Sequence, residues 1–184
     1  NMVDCQLRPN KVAEAAVLST IHIDPPGRFR PVAFRDGALY VCNNGGHSWR
    51  RGDDGITFPG PPAASDYDGG RIERVDLATG AVTRVADHCG NTALTAPNDI
   101  VAAAAGTLYF TDTGKTLGDH RMLGGLYRLD PDRSAVTSVV FPLDRPNGVG
   151  LSPDGAWLYA SETWCARLWR WPTSGRAAID DRET

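Results

Sequence analysis

Two Pro-Asn dipeptides are the residues of this sequence best suited to chemistry. Pro97-Asn98 lies within residues 96–100 and Pro146-Asn147 within residues 145–149, each just ahead of a β-rich run. Asparagine side-chain oxygens are ligands for hard cations such as calcium, so two of them brought together would form part of a metal site. Pro-Asn is also a favoured turn dipeptide, which is the structural alternative. The matched placement of two copies favours a functional role.

The segments that must position these dipeptides recur along the chain. Three hairpins are predicted, around Asp36-Gly37, around Gly106 and around residues 152–155. After each hairpin, apolar and charged residues alternate, which is typical of a strand with one buried face. These alternating segments are residues 69–76, 124–130 and 166–171, and further strands are expected at 81–85 and 135–140. Four antiparallel strands in each repeat are typical of a β-propeller blade.

The sequence therefore predicts an all-β fold, a β-propeller with about three four-stranded antiparallel blades. We expect one incomplete domain over residues 1–184, with blades at 30–86, 87–141 and 142–184 and an N-terminal strand region in 1–29, where Ala15 to Ile23 is the candidate strand. Three blades cannot close a ring, since propellers have typically four to eight. The chain is thus expected to be a fragment of a longer protein or to self-associate to complete the ring.

The composition excludes several classes of protein. Net charge is -3 and the 19 Lys and Arg residues are spread along the chain, so neither nucleic acid nor a membrane surface is an expected partner. No apolar run is long enough to span a membrane, and no signal segment is visible, so a cytoplasmic location is expected. The four cysteines form no CxxC pair, which favours free thiols over a zinc or redox motif.

Several other side chains are candidates for the site. Asp99 could act as the general base, or it could cap backbone amides. Asp112 could accept a hydrogen bond from Asn98 and so hold that ligand in position, or it could serve a turn. Asn44 and His47 begin a long polar stretch, residues 43–68, which is expected to be a loop; they could contact substrate, or they could be ordinary solvated residues.

Three parts of the sequence resemble the gluconolactonase-like family, which includes senescence marker protein, gluconolactonase and luciferin-regenerating enzyme. They are residues 70–80, residues 96–100 with 108–112, and residues 145–149 with 151–155. The resemblance implies a six-bladed propeller that holds one divalent metal in its channel, usually calcium or zinc. It also implies that Asn147 is a metal ligand and that Asn98 binds metal or substrate. The expected cofactor is a divalent metal, with calcium favoured and zinc or magnesium as alternatives.

The expected function is that of a metal-dependent hydrolase, which opens a lactone or similar small ester with metal-activated water in the channel. The resemblance also implies two acidic metal ligands: a first-blade Glu, which has no match here, and a later-blade Asp, whose position would fall beyond Thr184. The alternative is a non-catalytic or truncated propeller segment that acts as a binding or assembly module. A third reading is a propeller that resembles strictosidine synthase, for which Glu162 would be the catalytic residue.

Overall fold

The computed structural model describes residues 29–46, 48–60 and 67–174, and every regular element within them is a β-strand. In chain order these strands are β1 (Phe29–Arg35), β2 (Ala38–Asn43), β3 (Ser48–Arg51), β4 (Thr57–Gly60), β5 (Arg71–Asp76), β6 (Val82–Ala86), β7 (His88–Cys89), β8 (Thr92–Ala93), β9 (Pro97–Ala102), β10 (Leu108–Asp112), β11 (Thr116–Leu117), β12 (His120–Arg121), β13 (Gly124–Leu129), β14 (Val136–Leu143), β15 (Pro146–Leu151), β16 (Trp157–Glu162) and β17 (Arg167–Pro172).

The longer strands form three antiparallel meanders, with the β3-β4 hairpin inserted between β2 and β5 and the β11-β12 hairpin inserted between β10 and β13. The first sheet has the order β1-β2-β5-β6, the second β9-β10-β13-β14 and the third β15-β16-β17. The all-β class is confirmed, and the first two sheets have the four strands predicted for them. The third sheet has three strands in the part of the chain that the structure describes, against four predicted. The predicted limits of the domain and its blades stay predictions.

The first hairpin shows how local sequence sets the strand register. Asp36 and Gly37 join β1 to β2, and they have φ angles of 49° and 70°. Two successive positive φ angles are the signature of a type I′ turn, whose twist matches that of paired strands. Glycine adopts this angle without steric cost, and aspartate tolerates it better than most residues. The turn sets Arg35 opposite Ala38 in the ladder.

The first strands of the three sheets are neighbours in space. β1 packs against β9, and β9 packs against β15. The Pro-Asn dipeptides are the first two residues of β9 and β15, so they lie inside these strands and not ahead of them as predicted. Adjacent strands therefore carry Asn98 and Asn147 at equivalent starting positions.

Two apolar clusters hold the sheets face to face. Ile72 and Phe110 are fully buried in the cluster that includes residues of the first and second sheets. Leu126 and Trp171 are fully buried in the cluster that includes residues of the second and third. Burial of side chains of this size stabilises a fold by about 1.5–3 kcal/mol each, so these clusters fix how the sheets meet.

The stretch at 43–68 is not the plain loop that its composition predicts. It contains the hairpin of β3 and β4, in which Arg50 lies opposite Phe58 in the backbone ladder. Pro59 and Gly60 fall in β4, and both residue types are disfavoured within strands, which is why the pattern did not reveal it. Two shorter hairpins, β7-β8 and β11-β12, occur in other connections. The strand expected between Ala15 and Ile23 lies outside the described residues.

The thiols agree with the sequence prediction as far as they are described. Cys42, Cys89 and Cys165 are free, and Cys5 lies outside the described residues. Among residues 29–46, 48–60 and 67–174, no helix is long and apolar enough to cross a membrane.

Candidate functional site

Both Pro-Asn dipeptides lie at the same end of the sheets. Pro97 pairs with Asp112, the last residue of β10, and Pro146 pairs with Glu162, the last residue of β16. The connections that follow β2, β10 and β16 therefore come to this same end. We call it the site end.

The two asparagine side chains are accessible and uncommitted. Asn98 is partly exposed and Asn147 is exposed. Neither side chain forms a hydrogen bond to any residue that the structure describes. Turn asparagines usually bond their own backbone, so free amide groups favour a ligand-binding role over the turn alternative.

A hydroxyl group connects the two dipeptides. Thr111 is fully buried, and its Oγ1 accepts a hydrogen bond of 3.2 Å from the N–H of Asp99. The same hydroxyl donates to the main-chain carbonyl of Asn147 over 2.5 Å. The backbone next to Asn98 is thereby tied to the backbone of Asn147 through one side chain.

Asp99 links the same two strands a second time. One carboxylate oxygen accepts a hydrogen bond from its neighbour Ile100 N–H at 2.9 Å, and the other accepts from Val149 N–H at 2.8 Å. Val149 lies 50 residues away, in β15. Of the two roles foreseen for Asp99, this geometry matches the cap of backbone amides. Its role as general base stays a prediction.

Asp112 holds the segment that leads into Pro97. The carboxylate is 2% exposed and accepts hydrogen bonds from Thr95 N–H at 2.7 Å and from Ala96 N–H at 2.8 Å. It also accepts from the Thr95 hydroxyl at 2.8 Å and from Gly114 N–H at 2.8 Å. These bonds match the turn role, and they involve the backbone beside Asn98 and not its side chain. The support of the Asn98 side chain by Asp112 stays a prediction.

Glu162 occupies the equivalent place in the third sheet. Its carboxylate accepts hydrogen bonds from Asp144 N–H at 2.6 Å and from Trp169 Nε1–H at 2.9 Å. The residue is 6% exposed. A carboxylate buried and bonded in this way anchors the approach to Pro146, which is a poor setting for the catalytic role considered for it.

Of Asn44 and His47, which were predicted to contact substrate, the structure describes Asn44. Asn44 is 2% exposed, and its Oδ1 accepts a hydrogen bond from Gly46 N–H at 2.9 Å. Its carbonyl accepts from Lys115 Nζ at 2.8 Å, and that ammonium lies 4.3 Å from the centroid of the Tyr67 ring. Asn44 thus shapes the loop at the site end, and its contact with substrate stays a prediction. His47 lies outside the described residues.

Two glycines allow each sheet to approach the next dipeptide closely. A Cβ on Gly70 would lie 2.4 Å from Cδ of Pro97, and one on Gly124 would lie 2.8 Å from Cδ of Pro146. Real Cβ atoms do not come this close to other heavy atoms, so any larger residue would push the neighbouring proline away. The Gly-Gly pairs at the start of the alternating segments therefore help to place Asn98 and Asn147.

The electrostatics of the site end disfavour a thiolate ligand. Burial, together with the negative charges of Asp99 and Asp112, raises the pKa of the Cys42 thiol well above its ordinary value of 9.0. The thiol is therefore neutral at physiological pH. Metal-binding cysteines are thiolates, so Cys42 does not fit that role.

The donor set fits a hard cation only in part. No group of three or more His, Cys, Asp or Glu side chains that could hold a metal ion occurs among the described residues. The amide oxygens of Asn98 and Asn147 are free, and such oxygens suit calcium, which takes six to eight oxygen ligands. These two residues can thus supply part of a calcium shell and not the whole of it.

Two hydroxyl residues of the site, Thr111 and Ser161, were not predicted from the sequence. Thr111 and Ser161 each precede the terminal acid of a second strand, and Ser161 Oγ accepts a hydrogen bond from Gly148 N–H at 2.9 Å, as Thr111 does from Asp99. Gly148 and Asp99 both follow the asparagine of a Pro-Asn pair. Alignment of the internal repeats would have shown this matched pair of hydroxyls.

Comparison with known proteins places the chain among lactonase relatives. The sequence profile of the SMP-30/Gluconolactonase/LRE-like region matches residues 11–184. A gluconolactonase of Zymomonas mobilis is 29% identical over 151 residues, which are 78% of this chain and 40% of that protein. Lactonase drp35 of Staphylococcus epidermidis is 38% identical over 139 residues, which are 74% of this chain and 35% of that protein. The chain thus spans about two fifths or less of the length of these relatives.

A solved structure agrees with the architecture. The fold of a gluconolactonase from Xanthomonas campestris superposes with a TM-score of 0.56 at 23% identity, covering 85% of this chain and 62% of that one. At this identity the likeness concerns the fold, and it confirms the predicted propeller architecture. The profile match over residues 11–184 shows that the chain belongs to the SMP-30/Gluconolactonase/LRE-like family.

Proposed function

We propose that this chain contributes to a metal-dependent hydrolase that opens a lactone or similar small ester. The observation that carries the proposal is the pair of free amide groups, Asn98 and Asn147, at equivalent positions of adjacent first strands. Membership of the family adds the reaction class, because relatives of this chain are named gluconolactonase and lactonase. Since the chain spans only part of those relatives, the activity is a proposal for the protein that contains it.

Asn98 and Asn147 would hold the cation, with calcium favoured and zinc or magnesium as alternatives. When bound, such a cation supplies polarisation of a carbonyl group and a more acidic water molecule. The chain itself holds the backbone at the two asparagines, through the bonds of Thr111 and Asp99 that join β9 to β15. A backbone fixed in this way reduces the entropy that is lost when the two side chains bind the ion.

The hydrogen bonds that the carboxylates at the site end already form support a second candidate function. Asp99, Asp112 and Glu162 all accept hydrogen bonds from backbone or indole N–H groups. A general base needs a carboxylate free to take a proton from water. The alternative is therefore a non-catalytic binding or assembly module that keeps the fold, and self-association to complete the ring belongs with it. A cytoplasmic location also stays a prediction.

Calcium titration tests the proposed metal site. We expect Asn98→Ala and Asn147→Ala each to weaken calcium binding at least about tenfold, because each removes one of a small number of ligands. Asn91→Ala, at an exposed turn in the β7-β8 hairpin, is the matched control and should bind as the wild type does. Unchanged affinity in both site variants would contradict the metal assignment.

Lactone hydrolysis distinguishes the two functions. Glucono-δ-lactone and simple δ-lactones are incubated with the purified protein, and acid release is followed with calcium present or after chelation. Hydrolysis that chelation abolishes and calcium restores supports the hydrolase. Calcium binding without hydrolysis above the uncatalysed rate supports the binding module.

A further inference from the structure

At the site end, two guanidinium groups contact one exposed indole ring. The guanidinium carbons of Arg121 and Arg145 each lie 4.9 Å from the ring centroid of Trp164, which is 64% exposed. We call these three side chains the Arg-Trp cluster. They come from β12, from the segment before β15 and from the turn after β16, so all three lie at the site end.

The two arginines differ in their partners. Arg121 forms an ion pair with Asp144. Arg145 forms no ion pair or hydrogen bond with any residue that the structure describes, and its Nε is buried without an acceptor. A buried guanidinium N–H without an acceptor is unfavourable, because it has lost water and gained nothing in return.

The acids near Arg145 are already engaged by other groups. Glu162 pairs with Pro146, but its carboxylate oxygens accept from Asp144 N–H and Trp169 Nε1–H. The side chain of Asp144 is the ion-pair partner of Arg121. The charge of Arg145 therefore has no anionic partner within the described part of the chain.

The backbone at Arg145 is also held in an unfavourable conformation. Its φ is 53°, in the left-handed region that glycine and asparagine adopt more readily than arginine. The carbonyl of Arg145 accepts a hydrogen bond from Thr163 N–H at 3.1 Å, which secures this conformation. Strained residues of this type cluster at binding and catalytic sites, where the side chain has a use that offsets the cost.

We propose that Arg145, supported by Trp164 and Arg121, binds a carboxylate or phosphate group of the substrate. The guanidinium group matches the two oxygens of such anions, and the indole face holds it in position. Arg145 lies two residues before Asn147 in the sequence, so the anion would sit next to the proposed metal ligand. Substrates would then be lactones or esters that carry a negative charge away from the reacting carbonyl. The hydrolysis of such substrates rests on the proposed function, whereas the binding of an anion by Arg145 does not.

Binding of unreactive ligands tests the anion site without any need for catalysis. Glucose 6-phosphate and glucuronate are compared with glucose by calorimetry on the purified protein at low ionic strength. The wild type should bind at least one of the two anions at least about tenfold more tightly than glucose, and 0.5 M salt should reduce the difference. The two anions show whether phosphate or carboxylate is preferred.

The variants are chosen so that a folding defect is not mistaken for lost binding. Arg145→Gln should remove the preference for the anion, a loss of about ten- to a hundredfold, while the melting temperature reports whether the fold is kept. Glutamine has a similar backbone cost at this φ, so the strain is unchanged. Arg128→Gln is the control, because Arg128 is an exposed arginine of β13 that forms an ion pair with Asp130.

The outcomes separate the anion site from the proposed reaction. Equal affinity of folded Arg145→Gln and the wild type for the anions would overturn the anion site, as would no preference for anions in the wild type. Hydrolysis of neutral lactones without any preference for anions would overturn the anion site and leave the hydrolase proposal standing. A preference that depends on Arg145, in a protein that hydrolyses no lactone, would uphold the anion site and contradict the hydrolase.

Discussion

The carboxylate of Asp99 accepts a hydrogen bond of 2.8 Å from the backbone N–H of Val149, which joins the first strands of two sheets. Thr111 makes the second link, between the N–H of Asp99 and the carbonyl of Asn147. The two Pro-Asn dipeptides are therefore parts of one bonded unit. Changes in these links should affect both the stability of the fold and the binding of a ligand by Asn98 and Asn147.

Replacement of Asp99 by alanine should lower the free energy of unfolding by about 1–3 kcal/mol, because two backbone N–H groups lose their acceptor. Asp99→Asn should cost less, since the amide oxygen still accepts one of the two bonds. Urea unfolding of both variants measures the difference. Asp119→Asn, at an exposed position without a hydrogen bond to the described residues, should unfold as the wild type does.

The same two variants decide whether Asp99 is a catalytic base. Loss of a general base lowers the rate of hydrolysis by about 10²–10⁴-fold, and asparagine cannot replace it. If Asp99 serves only to join the strands, Asp99→Asn keeps most of the activity that the wild type shows. A large loss of kcat in a stable Asp99→Asn protein would assign the base role to Asp99.

Replacement of Thr111 by valine should weaken the site while keeping its shape. The side chain is fully buried, and valine leaves the Asp99 N–H without an acceptor and the Asn147 carbonyl without a donor. We expect a loss of about 1–3 kcal/mol in the free energy of unfolding and weaker calcium binding. Thr111→Ser should restore most of both, because it keeps the hydroxyl. Thr137→Val, on an exposed strand position, is the control; equal behaviour of the two valine variants would refute the linking role.

Replacement of Gly124 by alanine should disrupt the contact between the second and third sheets. The new Cβ would lie 1.9 Å from the carbonyl oxygen of Asp112 and 2.8 Å from Cδ of Pro146, so the backbone must move. We expect destabilisation of about 3 kcal/mol or more, which is the range of severe overpacking. Gly150→Ala meets no heavy atom within 4 Å and should leave the unfolding midpoint nearly unchanged. Similar midpoints for the two variants would show that the close approach is not required.

The sequence predicted the strands because their signals are local. Alternation and Asp-Gly or Gly-centred turns set each hairpin within about ten residues, and the two Pro-Asn dipeptides could be matched along the repeats. The roles of the acids could not be predicted in this way. Asp112 and Glu162 bond backbone groups 17 and 18 residues away, and Asp99 bonds one 50 residues away, so their partners depend on how strands and sheets assemble.

The unpaired charge of Arg145 could not be predicted from the sequence for the same reason. Its environment is made by Trp164 and Arg121, which lie in separate connections, and its positive φ arises from the local path of the chain into β15. Composition shows 19 basic residues spread along the chain, and nothing distinguishes this one. A tertiary structure is needed to show that Arg145 contacts Trp164 and lacks an anionic partner among the described residues.

Stability should fall at alkaline pH because of Cys42. Burial and the charges of Asp99 and Asp112 raise the pKa of this thiol in the folded state above 9.0, whereas the unfolded thiol titrates near that value. Below pH 9 the thiol is protonated in both states, so its full contribution is present. As pH rises above 9, the unfolded state loses the proton first, and the free energy of unfolding should fall by up to about 1.4 kcal/mol per pH unit until the folded thiol ionises.

Urea unfolding of the wild type and Cys42→Ala at pH 8, 9 and 10 isolates this effect. The pKa of Tyr67 is raised from 10.0 to about 12, mainly by burial, and the pKa of Cys89 is also raised, so both proteins share a background slope. The difference between the two curves belongs to Cys42: the wild type should lose stability relative to Cys42→Ala as pH rises past 9. Cys165→Ala, which changes an exposed thiol, should keep the wild-type slope. Parallel curves for the wild type and Cys42→Ala would mean that the folded state does not raise the pKa of the Cys42 thiol, and its burial beside the charges of Asp99 and Asp112 would then be wrong.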